Sequence, residues 1–341
     1  MLNKLKIGIL SEYPFLFIFG GMEVQCLETY LELKKITPGV SLIDYFDKNT
    51  DYNIIHFFGH PPGLKELYFF NAKKRKIILS TTLGAREFSH FKKFIRRGTA
   101  DIASCLKEET NHGKYRYIFH NSDKIIVLNE HEKNFLHKFY DVQEEKIIII
   151  PNGVDKRYFL AKGDIFIKKY DIKKFVLFVG NIIRRKNPLR LAQILKRISI
   201  PGVFIGGILP SESEYAKRFK ELVDSCNNLL WIKRLPPNDP LLISAYAAAT
   251  VFCLPSAEET QPISALEAMA SGTPVILGDF AYAHQPPFEK ALRCNISDEN
   301  SIEKCIRQVF ECRSDFVVHL SPDYTWENVA KKVLKVYKEV L

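Results

Sequence analysis

The sequence predicts an α/β fold made of two doubly wound, mostly parallel sheets, and three observations carry that prediction. From Lys4 to Gly153 short apolar runs alternate with stretches of helical spacing, the pattern of parallel strands joined by crossover helices. The same alternation restarts at Phe175 and continues through Leu277. The chain has 341 residues, too many for one ordinary hydrophobic core and suited to two domains.

In the first half, the apolar runs over 7–10, 42–45, 54–58, 77–80, 125–128 and 147–150 read as strands, with helices over 22–34, 64–73 and 130–140. After the first run, SEYPFLFIFGGMEVQ sets Gly20 and Gly21 just before a helix. Such glycines let a backbone approach a ligand closely, and a plain turn uses the same pair. Residues 154–174 mix charge and aromatics without a clean period and read as a connection between domains. In the second half, strands over 175–179, 203–205, 229–232, 251–254 and 275–277 alternate with helices that start near Pro188 or cover 214–224 and 241–249. The last helix, TWENVAKKVLKVYKEVL, aligns Val329, Val333, Val336 and Val340 on one face.

Composition narrows the class. Apolar residues make up 46% and charged residues 26%, the balance of a soluble globular protein. Nothing approaches the run of about 20 apolar residues that a spanning helix needs, and MLNKLKIGIL enters a core strand at once, with no signal peptide evident. The seven cysteines form neither a CxxC pair nor a Cys/His cluster, which predicts reduced, buried thiols in a cytoplasmic protein without zinc or disulfides. The net charge of +10 is shared evenly by the two halves. Local density peaks at Lys73, Lys74, Arg75 and Lys76 and again at Lys92, Lys93, Arg96 and Arg97, clusters that suit a solvated face or an anionic membrane. Phe88, Phe91 and Ile95 interleave with the second cluster as in a segment lying at a membrane interface, and the loop 13–19 is equally apolar; packing in the first domain's core accounts for the same residues. No aromatic platform or helix-turn-helix signal favours nucleic acid.

The stretch TVFCLPSAEETQPISALEAMASGTPVIL organises the second half as strand, loop, helix and strand. Its helix is expected from about 262 to 271, with Pro262 at the first helical position and Gly272 and Pro274 at the stop. Amide groups at Thr260, Gln261 and Ile263 would then face outward at the carboxyl end of the strand, where an anion such as a diphosphate fits. Glu259 in the loop and Glu267 along the helix, seven residues between them, can grip hydroxyls at the two ends of such a ligand. In GNIIRRKNPLRLAQIL, Arg184, Arg185 and Lys186 gather at a strand's carboxyl edge, a set of cations that suits a pyrophosphate.

PSAEETQPISALEAMASGTPV resembles the Glu-x7-Glu motif of the retaining family 4 glycosyltransferases, which have the GT-B fold and bind a nucleotide sugar there. Gly20, Gly21 and Glu23 match the family's first loop, G-G-x-E, which sits against donor phosphates. NSDKIIVLNEHEKNFL and KIIIIPNGVDKRYF resemble A-D-x-V-I-x-x-S-E and I-P-N-G-V-D. Lys186 matches the lysine of the segment that holds the diphosphate, and Asn181 stands where its arginine usually is. Residues 229–256 resemble the base-holding strand, bend and helix, with the bend at Arg234, Leu235 and Pro236. His56 falls where the family often has a histidine, whereas Thr82, Leu83 and Gly84 replace the common T-H-G.

The resemblance implies an α/β GT-B fold of two Rossmann-like domains facing across a cleft. Residues 1–160 would form the acceptor side, 161–324 the nucleotide-sugar side, and 325–341 a helix crossing back to the first domain. It implies a hexosyltransferase that moves sugar from a nucleotide diphosphate sugar to a glycan or lipid-linked acceptor with retention. Lys186 with Arg185 would stabilise the departing diphosphate, Glu259 the sugar hydroxyls and Glu267 the ribose. Gly20, Gly21, Asn181, Leu235, Thr260, Gln261, Pro262 and Ile263 would complete the donor site. No metal and no cofactor beyond the donor are expected, since no Asp-x-Asp occupies a loop between strands. The expected location is cytoplasmic, at a membrane surface if the basic clusters dock there. A nucleotide-sugar epimerase of the same fold and a polyanion-binding protein are the rival readings.

Overall fold

A computed structural model of the protein describes residues 5–12, 15, 20–44, 51–59, 75–81, 83 and 111–341. The chain divides into two units, Met1–Gly153 with Asp323–Leu341, and Val154–Pro322. The expected helix over 64–73, most of the apolar loop 13–19 and the whole of 86–98 lie outside the described residues.

In the first unit β1 (Ile7–Ser11), β2 (Val40–Leu42), β3 (Ile54–Phe58), β4 (Lys76–Ser80), β5 (Lys124–Val127) and β6 (Ile147–Ile149) form a parallel sheet in the order β2-β1-β3-β4-β5-β6. Its strands are apolar runs, as strands of parallel sheets buried on both faces are. The described helices are α1 (Gly21–Ile36), α2 (Asn111–Asn121), which the periodicity did not mark, and α3 (Glu130–Tyr140). The second strand lies earlier than the expected 42–45. The Ile7 amide donates to the Gly39 carbonyl at 2.9 Å, and pairing with β1 therefore starts at Val40.

The second unit repeats the plan with β7 (Val176–Val179), β8 (Gly202–Ile205), β9 (Leu229–Ile232), β10 (Val251–Leu254), β11 (Val275–Gly278) and β12 (Leu292–Cys294), in the order β12-β11-β10-β7-β8-β9. Its helices are α4 (Asp164–Tyr170), α5 (Pro188–Arg197), α6 (Ser213–Asp224), α7 (Pro240–Ala248), α8 (Ile263–Ala270) and α9 (Glu299–Glu311). The stretch 154–174 is not a free connection, as its mixed composition suggested. It carries α4, whose Phe166 is fully buried, and the Phe166 amide donates to Ser244 Oγ of α7 at 3.0 Å.

The terminal helix α10 (Trp326–Glu339) belongs to the first unit and packs on α1, burying Trp326, Val329, Val333, Val336 and Tyr337. Val340 lies past its end. The Tyr337 hydroxyl is 2.7 Å from His56 Nδ1, and His56 Nε2 is 2.8 Å from Ser80 Oγ. Burial lowers the His56 pKa to about 3, so the ring is neutral and joins three elements of the core.

Candidate active site

β7 and β10 are neighbours at the centre of the second sheet, and the chain leaves them for opposite edges, to β8 and β9 on one side and β11 and β12 on the other. Open α/β sheets bind ligands at the carboxyl ends of their strands where the order reverses in this way. The two loops that depart there, 180–187 and 255–262, are the two that the sequence marked as chemical.

The first loop folds back on itself. Arg184–Lys186 forms a single 3-10 turn, Asn187 takes the left-handed conformation at φ 60° that asparagine tolerates, and Pro188 opens α5. Lys186 lies over Gly180, where a Cβ would come 3.0 Å from its Cδ. The ammonium reaches Glu259 Oε1 at 2.8 Å, an Arg185 guanidinium nitrogen reaches the same oxygen at 3.2 Å, and Ser256 Oγ donates to it at 3.1 Å. The Glu259 side chain is 11% exposed. Burial pushes its carboxyl up, but Lys186 and Arg185 outweigh burial and hold it below the usual carboxylate range. The result is an ionised carboxylate under two cations, the Arg185 carbonyl being tied in turn to the Ala257 amide at 2.9 Å. Arg184 does not join them: it turns to Glu212 at 3.6 Å and stacks over the Tyr215 ring.

Along the same edge the Ile182 amide bonds the Gly207 carbonyl at 2.8 Å. A Cβ on Gly207 would come 3.8 Å from Asn181 Oδ1 and 3.6 Å from Arg234 Cβ. Asn181 and the bend that carries Leu235 thus stand together beyond β7, β8 and β9.

Two residues that sequence reasoning missed shape the second loop. The Tyr282 hydroxyl donates to the Ser256 carbonyl at 2.9 Å, and the Gln285 carboxamide donates to the Thr260 carbonyl at 2.6 Å. Gln261 is 5% exposed beside them. Pro262 proves to be the N-cap of α8 and not its first residue: its ψ of 114° is extended, and its carbonyl accepts from the amides of Ala265 and Leu266. Ile263 therefore begins the helix, and its amide is one of those that the helix itself cannot pair. Glu267 lies one turn further along, and its Oε2 accepts from the Tyr246 hydroxyl at 2.6 Å. Tyr246 and Tyr158 are fully buried, with ring centroids 5.6 Å apart and nearly perpendicular. The available signal for Tyr246 was an aromatic hydroxyl inside the small and aliphatic helix PLLISAYAA.

Gly20 and Gly21 belong to the first unit, as the N-cap and first residue of α1. Packing demands neither: a Cβ on Gly21 would meet nothing within 4 Å, and one on Gly20 only Glu23 Oε2 at 3.4 Å. The buried Glu23 carboxylate accepts from the Gly20 amide at 2.7 Å and caps the helix. His56 is fully enclosed and its hydrogen bonds are internal. Leu83 is buried, its amide donating to the Glu132 carboxylate at 2.5 Å, while Thr82 and Gly84 lie outside the described residues. Among the described residues no group of three His, Cys, Asp or Glu side chains could hold a metal ion.

Sequence profiles of two kinds match the chain: Glycosyl transferases group 1 over residues 164–310 and Glycosyltransferase Family 4 over residues 30–158. The chain is a family 4 glycosyltransferase. A D-inositol 3-phosphate glycosyltransferase of Corynebacterium urealyticum is 26% identical over 246 residues, 65% of this chain and 58% of that protein. A UDP-Gal:alpha-D-GlcNAc-diphosphoundecaprenol alpha-1,3-galactosyltransferase of Escherichia coli is 32% identical over 173 residues, 46% of this chain and 42% of that one. The chain thus spans about half the length of the curated relatives it matches. The crystal structure of Anabaena HepE in complex with UDP and glucose covers 98% of this chain and 100% of that one, with a TM-score of 0.73 at 12% identity, a likeness of fold. Together with the two parallel sheets, it identifies the glycosyltransferase as having the two-domain α/β GT-B fold. The group 1 match contains Asn181, Arg185, Lys186, Leu235, Glu259 and Glu267, whereas Gly20 and Gly21 precede both matched ranges.

Proposed function

We propose that this glycosyltransferase moves a hexosyl group from a nucleoside diphosphate sugar to a glycan or lipid-linked acceptor, with retention of anomeric configuration. One observation carries the reading: Lys186 and Arg185 converge on Glu259 at the reversal point of the second sheet. A donor entering there brings a diphosphate for the two cations and sugar hydroxyls for the carboxylate. As the bond from the anomeric carbon to the diphosphate oxygen breaks, negative charge grows on that oxygen, and fixed cations stabilise it more than they stabilise the bound donor. The acceptor hydroxyl attacks from the same face, its oxygen bonding the anomeric carbon while its proton passes to the departing phosphate. Glu267 accepts from the ribose, and the amide of Ile263 at the tip of α8 faces phosphate oxygens. Asn181 and Leu235 line the base end. The chemistry requires no metal, because the two cations and the helix tip supply the positive charge.

The acceptor class follows the Escherichia coli relative, whose acceptor is linked to diphosphoundecaprenol by its name. Among the described residues no helix is long and apolar enough to cross a membrane. Access to a lipid-linked acceptor would therefore come from peripheral docking on the cytoplasmic leaflet, through the basic and aromatic segment 86–98. Sedimentation with anionic vesicles at low and high salt tests that part. The central test is transfer across a panel of UDP-, GDP- and ADP-sugars, with the product anomer read by NMR. Retained configuration supports the reading. Donor turnover without acceptor would point to the epimerase, and inversion would exclude same-face attack.

A further inference from the structure

One short turn behind the second loop holds both of its ends. The Tyr282 hydroxyl, in the 3-10 turn Ala281–His284, donates to the Ser256 carbonyl at 2.9 Å and accepts from the Gly278 amide at 3.1 Å. Gln285, next along the chain, donates from its carboxamide to the Thr260 carbonyl at 2.6 Å and to the Tyr282 carbonyl at 2.9 Å. Both side chains are buried. The grip at Ser256 reaches the cations through the backbone. In a trans peptide the carbonyl and the amide that follows it point opposite ways. Holding the Ser256 carbonyl toward Tyr282 therefore aims the Ala257 amide away from it, and that amide donates to the Arg185 carbonyl at 2.9 Å. The Arg185 guanidinium returns to the same loop, donating to the Glu258 carbonyl and reaching Glu259 Oε1 at 3.2 Å.

We infer that Tyr282 and Gln285 are positioning residues for the diphosphate: Tyr282 sets the peptide plane that holds the Arg185 turn against Glu259, and Gln285 secures the other end of the same loop. The inference rests on the proposed nucleotide-sugar site. Lys186 follows Arg185 in one 3-10 turn and meets Glu259 Oε1 at 2.8 Å, so a tilt of the Ser256–Ala257 peptide displaces both cations from the carboxylate. Cations held in place stabilise phosphate charge better than cations that must first reorganise. Leu235, at the base end, stands on another segment, and the loss falls on the phosphates. Burial, followed by the negative charge of Glu259, raises the pKa of Tyr282, which keeps the proton on the phenol and the phenol a donor to Ser256.

Calorimetric titration with UDP, GDP and ADP, each paired with its nucleoside monophosphate, tests this at the base that binds most tightly. The native chain should prefer the diphosphate, whose outer phosphate meets the two cations on the proposed reading. Tyr282→Phe keeps the ring and removes the hydroxyl. It should weaken diphosphate binding by about tenfold, the size of one net hydrogen bond. Monophosphate binding should change by less than about twofold. Arg185→Ala should narrow the same gap, and adding Tyr282→Phe to it should narrow it little further. Because Tyr282→Phe leaves a buried amide and carbonyl unpaired, urea midpoints accompany the titrations. Gln285→Leu, which releases the Thr260 end, should also weaken the diphosphate selectively and carries the test if the first variant does not fold. Equal weakening of both nucleotides in the folded variant would make the turn merely structural and overturn the inference, as would unchanged binding of both. A native chain that bound no diphosphate more tightly than its monophosphate would remove the diphosphate reading itself, and this inference with it.

Discussion

At the scale of single residues, the proposed reaction gives Lys186 and Glu267 different moments at which to act. A ribose contact exists before and throughout transfer, whereas the lysine meets charge that grows as the diphosphate leaves. Lys186→Ala should therefore lower kcat by about a hundredfold or more, as the loss of one preorganised donor does elsewhere. Glu267→Ala should mainly raise the donor KM; steady-state kinetics separate the two, and full activity in Lys186→Ala would remove the lysine from the mechanism. Removing the lysine leaves Glu259 with Arg185 and Ser256, so the variant is expected to fold. His56 supplies a second prediction. Its folded pKa of about 3 lies below the unfolded value of 6.5, so between these values only the unfolded chain binds the proton. Stability is complete above pH 6.5 and falls as pH drops toward 3, by about 1.4 kcal/mol at about pH 5.5 from this group alone. Urea midpoints measured from about pH 8 downward should show that decline, and His56→Gln should flatten it.

At the scale of elements, a buried hydroxyl of α7 ties down the start of α4 within the segment 154–170. Ser244 Oγ of α7 accepts from the Phe166 amide at 3.0 Å and donates to the Lys162 carbonyl at 2.7 Å, closing the first turn of α4 from outside. Gly163 fits there because a Cβ would come 2.9 Å from the Cα of Ala248. Ser244→Ala strands a buried amide and a carbonyl, and should cost the unit about 2 kcal/mol, read as a lower urea midpoint. Hydrogen exchange should speed up first in α4; uniform loosening across β7 to β12 would show that the clamp is not local. The same segment carries Tyr158, the ring that backs Tyr246 beneath Glu267. A change at the end of this segment thus reaches the candidate donor site through ring packing.

At the scale of the whole molecule, the last helix is the part of the first unit that is most distant in sequence. Gly153 ends that unit's main run and admits no side chain, since a Cβ would come 2.7 Å from the Trp326 amide. Deleting residues 325–341 bares the inner face of α1 and takes Tyr337 from His56. The lost apolar burial of five large side chains exceeds the margin of a typical domain. Amides of β1 to β6 should lose protection against exchange while those of β7 to β12 keep it. Equal loss in both sheets would mean that the units do not fold independently.

Period and punctuation were enough to place β3, α3, β9 and β10 at their observed bounds, because each is an apolar run, broken only by His56 in β3, or a clean amphipathic helix between breakers. The chemistry of 180–187 and 255–267 was legible for a related reason: charges and carboxylates stand out in loops that follow apolar strands. Other elements left no such mark. α4 hides its Phe166 among charges, β12 is three residues of which one is exposed, and β2 depends on where its neighbour's ladder begins. The sequence by itself determined the two sheets, the family and the charged residues that gather at the candidate site. Only the tertiary structure decided that Arg184 turns away from its two neighbours, that His56 serves the core, and that Tyr246 donates to Glu267. These are matters of side-chain direction between segments far apart in the chain, and neither periodicity nor spacing along one strand or helix encodes them.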